Sequence, residues 1–209
     1  MVRLMLKRFA VFCACCSFFA LNCYGIELDF LLNAAIDVTS WPQVEAYLAD
    51  AHIAPENVTA IDFEGHNLTQ IPDWVFEKTQ NVTQLDLSRN NLTALPHTLS
   101  PLRDLEVLLA PQNQISVIDP AISQLTALKE LDLRHNNLSV LPTTIGDLGA
   151  LNDLFLDNNA FLVLPGSICN LASHVRHLSL RNNPLGIKDE GSAVGKTTLM
   201  QTFGMNFHF

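Results

Sequence analysis

The chain has 209 residues, and 21 acidic against 12 basic side chains give it a formal charge of −9. Such an acidic chain argues against binding to nucleic acid and to anionic lipid, since both present phosphates that need a basic surface. Solubility is enough to explain the charge, and a cationic partner is the alternative. The length allows one domain and a targeting segment.

Residues 1–25 have the pattern of a secretory signal peptide. Three basic residues precede an apolar run over residues 9–21, and Cys23 and Gly25 place small side chains where a signal peptidase cuts. We therefore expect cleavage after Gly25 and a mature protein that is secreted or exposed at the cell envelope. Cleavage would change the formal charge from −9 to −12, because three basic residues and no acidic one are removed. The alternatives are a membrane anchor formed by residues 9–23 and a cytoplasmic chain.

Residues 26–57 contain the start signal of a helix. Ser40 stands three residues before Gln43, as in a capping box, and Pro42 fits the first turn of the helix that follows. We expect this segment to form a helical cap. Its apolar side chains would cover the open end of the repeats that come next, because a stack of repeats needs its terminal surface covered.

Between residues 58 and 187 one apolar pattern recurs six times at a spacing of 23 or 24 residues. The clearest copy reads Val82, Leu85, Leu87, Asn90, Leu92, Leu95, Pro96. Its first part alternates apolar and variable residues, which predicts a short strand with one face inward. After the Leu-Pro pair, apolar residues stand three apart, which predicts a helical or 3₁₀ turn. Such a period predicts a solenoid whose units stack around one core.

This pattern, LxxLxLxxNxLxxLP, resembles the 23-residue type of the leucine-rich repeat family. The resemblance implies an α/β fold, a curved solenoid with parallel strands on its concave face and short helical or 3₁₀ segments on its convex face. It also implies binding of a protein partner and not catalysis. The Leu-Pro form is common in intracellular members of the family, which bears against export.

One asparagine in each of the last five repeats falls where the chain turns out of its strand. Its amide can satisfy backbone groups that would otherwise be buried without partners. We therefore expect a ladder of stacked side chains inside the solenoid. It would consist of Asn90, Asn113, Asn136, Asn159 and Asn183, with His66 in place of asparagine in the first repeat.

The outward strand positions predict where a partner would bind. Most hold polar or acidic side chains, whereas the third and fifth repeats also hold apolar ones. Exposed apolar residues flanked by charge are typical of interface anchors. The candidate contact residues are Asp86, Val107, Leu109, Asp132, Arg134, Phe155 and Asp157. The alternative is that Leu109 and Phe155 are merely tolerated at concave positions.

Residues 188–209 predict a polar, weakly structured tail. Within it, Gly195, Lys196 and Thr197 resemble the end of a nucleotide-binding P-loop, GxxxxGK[ST]. Glu190 stands where the first glycine belongs, and no apolar strand precedes the motif. We therefore do not expect nucleotide binding. The motif leaves open an alternative function, that of an intracellular scaffold or a truncated relative of the Roco-type GTPases that carry leucine-rich repeats.

No set of residues in the sequence predicts catalysis or a cofactor. The seven histidines have no ligand spacing with Cys169, the cysteine that remains after removal of residues 1–25. Nucleophile-elbow, zinc-protease and dinucleotide patterns do not occur either. We expect a monomer that is not an enzyme, holds no metal or cofactor, and binds a protein but no nucleic acid.

Overall fold

The computed structural model of the protein describes residues 26–27, 58–97, 99–187, 191–204 and 207–208. The predicted signal peptide and the helix predicted after Ser40 lie outside these residues. Within them, no helix is both long enough and apolar enough to cross a membrane.

Eight parallel strands form one sheet, in which the strand order follows the chain. They are β1 (Ile26–Glu27), β2 (Val58–Asp62), β3 (Gln84–Asp86), β4 (Val107–Leu109), β5 (Glu130–Asp132), β6 (Asp153–Phe155), β8 (His177–Ser179) and β10 (Phe207–His208). A separate antiparallel pair joins β7 (Leu164–Pro165) to β9 (Ala193–Val194). Each of the six repeats adds one strand to the large sheet, which confirms the predicted solenoid.

The strands from β2 to β8 stack with their inward side chains in one row. The row consists of Ile61, Leu85, Leu108, Leu131, Leu154 and Leu178, all at most 2% exposed. Each such buried side chain contributes about 1.5–3 kcal/mol to the stability of the stack. Because side chains alternate along a strand, the residues on either side of this row point away from the core.

Most repeats return through a short helical segment on the opposite, convex side. The first has an α-helix, α1 (Trp74–Lys78), and the third, fourth and fifth have 3₁₀ segments at Pro120–Gln124, Thr143–Asp147 and Gly166–Ser173. Their central isoleucines, Ile122, Ile145 and Ile168, are buried. Asp119 replaces the proline of the pattern, and its carboxylate caps the following 3₁₀ segment by accepting the amide of Ala121 at 2.8 Å.

The C-terminal segment is more ordered than the polar, weakly structured tail that we expected. β9 pairs with β7, β10 extends the sheet beyond β8, and the helix α2 (Lys196–Phe203) packs against the 3₁₀ segment of the fifth repeat. Leu199 is fully buried and Phe203 packs against the same core. Two apolar residues four apart lie on one helix face, which is enough to dock a short helix even though the segment is polar on average.

Gly146 lies where two neighbouring convex segments meet. A Cβ atom added there would lie 2.3 Å from the carbonyl oxygen of Ser167, whereas one added to Gly149 would meet nothing within 4 Å. We expect Gly146→Ala to lower the free energy of unfolding by about 1–3 kcal/mol through overpacking. Gly149→Ala should leave it nearly unchanged. Urea denaturation followed by circular dichroism measures both, and equal stability of the two variants would contradict this close stacking.

Candidate functional site

The outward side chains of the strands form the concave face, on which the candidate contact residues lie. We define this face as Ala60, Asp62, Glu64, Gln84, Asp86, Ser88, Val107, Leu109, Pro111, Glu130, Asp132, Arg134, Asp153, Phe155, Asp157, His177, Ser179 and Arg181. The register of the sheet aligns Asp62, Asp86, Leu109, Asp132, Phe155 and Ser179 as its central row. Residues from six repeats are thereby brought onto one surface.

A ladder of five asparagines supports the ends of these strands from inside: Asn90, Asn113, Asn136, Asn159 and Asn183. Asn136 shows the arrangement. Its Nδ2 donates to the carbonyl oxygens of Ala110 in the preceding repeat and Leu133 in its own, at 2.9 and 3.0 Å. Its Oδ1 accepts the amide of Ile115 at 2.9 Å. Because each asparagine side chain forms hydrogen bonds to two repeats, the ladder holds the strands of the concave face together.

In each repeat the residue before the ladder asparagine, or before His66 in the first repeat, is in the left-handed region, a feature that we did not predict. These residues are Gly65, Arg89, Gln112, His135, Asn158 and Asn182, with φ between 56° and 76°. Glycine and asparagine adopt this conformation readily, whereas for other residues it costs about 1–2 kcal/mol. The sequence signal was weak because arginine, glutamine and histidine fill three of the six positions.

The acidic residues of the central row make local hydrogen bonds. Asp62 Oδ1 accepts the amide of Glu64 and Asp86 Oδ1 accepts the amide of Ser88, each at 2.8 Å. In both cases the carboxylate satisfies an N–H two residues further on, where the strand ends. An acid in this row therefore has a structural reason to be there besides any contact with a partner.

The third repeat departs from this arrangement, since Leu109 stands in the central row and Pro111 two residues further on. Proline has no N–H, so a carboxylate at position 109 would have nothing to accept. Leu109 and Val107 are partly buried and form an apolar patch between the acidic residues of β3 and β5. The missing N–H explains why no acid is needed here, but it does not explain why leucine is present.

Asp132 is only 3% exposed, although we expected it to be an exposed contact residue. Arg134 covers it, with Nε 2.9 Å from Oδ1 and Nη2 2.5 Å from Oδ2. These hydrogen bonds to the Asp132 carboxylate raise the pKa of Arg134. The guanidinium carbon also lies 5.1 Å from the centre of the Phe155 ring, which is a cation–π contact. A partner at this end of the face would therefore meet Arg134 and Phe155, and not Asp132.

Asp157 is engaged by the sixth repeat. Its Oδ1 accepts the hydroxyl of Ser179 and, at 2.7 Å, the amide of Arg181. Asp157 thus accepts an amide at the strand end of the neighbouring repeat, whereas Asp86 accepts one at the strand end of its own repeat. The carboxylate is partly exposed and can still attract a cation.

Three carboxylates meet at the other end of the face. The ligand atoms of Asp62, Glu64 and Asp86 lie within 4.8 Å of one another, a geometry that could hold a cation. Burial raises the pKa of Asp86, hydrogen bonds from Ser88 oppose this, and the charges of Asp62 and Glu64 raise it further. Our expectation of no metal site rested on histidine and cysteine spacing. It missed this group because Asp62 and Asp86 come from different repeats.

A polar cavity of about 160 Å³ lies at Pro111, two residues along the chain from Leu109. It is lined by Ser88, Arg89, Pro111, Gln112, Arg134 and His135. Pro111 and its neighbour Ser88 are short and buried, whereas Arg89 and Arg134 are long, so a hollow is left between the two arginines. A side chain that crosses Leu109 would reach this hollow.

The P-loop-like residues are used within the fold. Gly195 is buried, and the amides of Lys196 and Thr197 donate to the carbonyl oxygens of Gly186 and Ile187 at 2.9 and 3.2 Å. The hydroxyl of Thr197 also donates to Ile187, at 2.9 Å. A P-loop needs such backbone donors for phosphate, and here two of them are occupied by the last repeat. The geometry therefore disfavours a nucleotide at this position.

The comparisons with known proteins agree with this architecture. A sequence model described as "Leucine rich repeat" matches residues 56–115 and 111–161. A solved structure of a leucine-rich repeat protein from Leptospira interrogans is 34% identical, with a TM-score of 0.59 over 66% of this chain and 34% of that one. An internalin (InlF) from Listeria monocytogenes is 27% identical, with a TM-score of 0.54 over 63% of this chain and 37% of that one.

The matched part spans about a third of the length of each of these two structures. The comparison with curated protein sequences finds no match.

Proposed function

Because this chain belongs to the leucine-rich repeat family, we propose that it is a non-enzymatic binding module whose concave face recognises another protein. The observation that carries the proposal is the apolar patch of Val107 and Leu109, which lies among charged residues on a sheet face supported from below by the asparagine ladder. A few residues near the centre of a protein interface typically supply most of its affinity. The hollow at Pro111 offers room for a partner side chain.

We further propose that the protein is exported and acts outside the cytoplasm. The basic and apolar order of residues 1–25 supports this, and β1 begins at Ile26, directly after the proposed cleavage site. Removal of the leader would therefore leave every described strand in the mature chain. N-terminal sequencing and intact mass of the native protein should give a chain that starts at Ile26. A chain that still begins at Met1 would favour an anchored or cytoplasmic protein.

Substitution of Leu109 tests the binding proposal. Leu109→Ala removes the apolar side chain without placing a carboxylate opposite Pro111, which has no N–H to donate, so the variant should fold normally. We expect it to weaken binding of the native partner at least about tenfold, since a central apolar anchor contributes more than about 1.4 kcal/mol. The partner is first identified by photo-crosslinking from position 109, and affinity is then measured by titration calorimetry.

Val140→Ala is the matched control, because Val140 is 61% exposed outside the concave face. It also shortens an exposed apolar side chain to alanine and should leave affinity unchanged. Equal affinity of the two variants for the crosslinked protein would refute the concave face as the binding surface.

A further inference from the structure

Charge is unevenly distributed over the solenoid. Among the side chains that the structure describes, thirteen are acidic and eight are Lys or Arg. Seven of these acids and two of these bases belong to the concave face: Asp62, Glu64, Asp86, Glu130, Asp132, Asp153 and Asp157, against Arg134 and Arg181. The remaining six acids are matched by six bases. The negative charge of this part of the chain thus resides on the concave face.

Apart from Arg181, whose side chain is exposed, the basic residues on and beside this face lie close to its own acids. Arg134 forms its two-point contact with Asp132, and Arg89 at the edge places Nη1 3.3 Å from Glu64 Oε1. His177 lies 3.9 Å from Asp153. The field that a partner meets is therefore negative, and it is strongest where Asp62, Glu64 and Asp86 converge.

The apolar patch lies directly beside this convergence. Leu109 pairs in register with Asp86 on one side, and Asp86 pairs with Asp62 beyond it. Neighbouring strands are about 4.8 Å apart, so nearby residues of one partner segment can place an apolar side chain on Leu109 and a basic side chain on the carboxylates.

We propose that the partner is a protein that presents a basic segment, with an arginine or lysine seated on Asp62, Glu64 and Asp86 and an apolar residue on Leu109. This inference rests on the proposed binding function and names the chemistry of the partner. Charge complementarity of this kind speeds association and selects against acidic partners. Binding should therefore weaken as salt rises, because the charges are partly exposed.

The test uses a short peptide with one leucine flanked by arginines in a serine-glycine frame. Two counterparts carry glutamate or serine in place of arginine. Fluorescence anisotropy should show that the arginine peptide binds the protein most tightly and that binding weakens between about 0.15 M and about 1 M NaCl. In the triple variant Asp62→Asn/Glu64→Gln/Asp86→Asn, affinity should fall about tenfold. Asparagine keeps the Oδ1 acceptor that the amides of Glu64 and Ser88 use, so the fold should persist.

The matched control removes three carboxylates outside the concave face, in Glu77→Gln/Asp104→Asn/Asp147→Asn. It changes the net charge equally and should leave affinity unchanged. An equal loss of affinity in both triple variants would mean that the effect comes from overall charge, and it would overturn the proposal. It would also be overturned if the arginine and glutamate peptides bound equally well, or if neither bound. In each of these cases, weaker binding of the native partner by Leu109→Ala would leave the proposed binding function itself standing.

Discussion

Replacement of Asn136 by alanine should lower the free energy of unfolding by about 3–4 kcal/mol. One buried donor loses its partner, and the Nδ2 group's two short hydrogen bonds and its longer one to Arg134, at 3.3 Å, are lost. The amide of Ile115 loses the Oδ1 acceptor at 2.9 Å. The carbonyl oxygen of Ala110 keeps only the longer bond from Asn113, at 3.2 Å, and that of Leu133 keeps the bond from Asn159. Since Asn136 occupies the middle of the ladder, no chain end nearby can relax to compensate. Urea denaturation followed by circular dichroism gives the value.

Asn137→Ala provides the control, because Asn137 is the next residue, has the same side chain and is exposed. Its amide donates to the carbonyl oxygen of Ile115, a backbone contact that alanine retains. We expect its stability to stay within about 0.5 kcal/mol of the parent protein, as for most surface substitutions. Similar losses of stability in the two variants would mean that a ladder asparagine contributes no more to stability than an exposed asparagine.

The repeat architecture could be predicted from the sequence because the same physical requirement recurs in every unit. One apolar row must face the core and one side chain must satisfy the strand end, and both leave a periodic trace such as Leu131 and Asn136. The outward positions carry a weaker constraint, because an acid there can accept a strand-end amide but leucine, phenylalanine and serine also occupy the central row. Their exposure depends on neighbours from other repeats, which is why the cover of Arg134 over Asp132 and the stacking of Arg134 on Phe155 were not predicted.

The meeting of Asp62, Glu64 and Asp86 illustrates the same limit. Sequence places these acids at outward positions, but only the register of β2 against β3 shows that their oxygens converge. The apolar patch at Leu109 could be predicted, whereas its connection with Pro111 required knowledge of which N–H groups the neighbouring carboxylates accept. The side chain that faces outward at a single position was therefore predictable, whereas the contacts between outward side chains of different repeats were not.

The C-terminal segment was the largest departure from expectation, because it resembles a P-loop, its composition is polar, and Leu199 stands outside the repeat pattern. This side chain is fully buried, while the adjacent Met200 is 57% exposed. If α2 is part of the core, Leu199→Ala should lower the free energy of unfolding by about 3 kcal/mol, within the range for buried leucines.

Met200→Ala removes an apolar side chain of similar size from the solvent side of the same helix. It should leave stability nearly unchanged, and a urea titration of both variants checks the pair. Hydrogen exchange of the fifth repeat adds a readout specific to docking. Its 3₁₀ segment at Gly166–Ser173 packs against α2, so its amides should exchange faster in Leu199→Ala than in Met200→Ala. Unchanged stability and unchanged exchange in Leu199→Ala would show instead that the repeats hold together without α2, as a weakly structured tail requires.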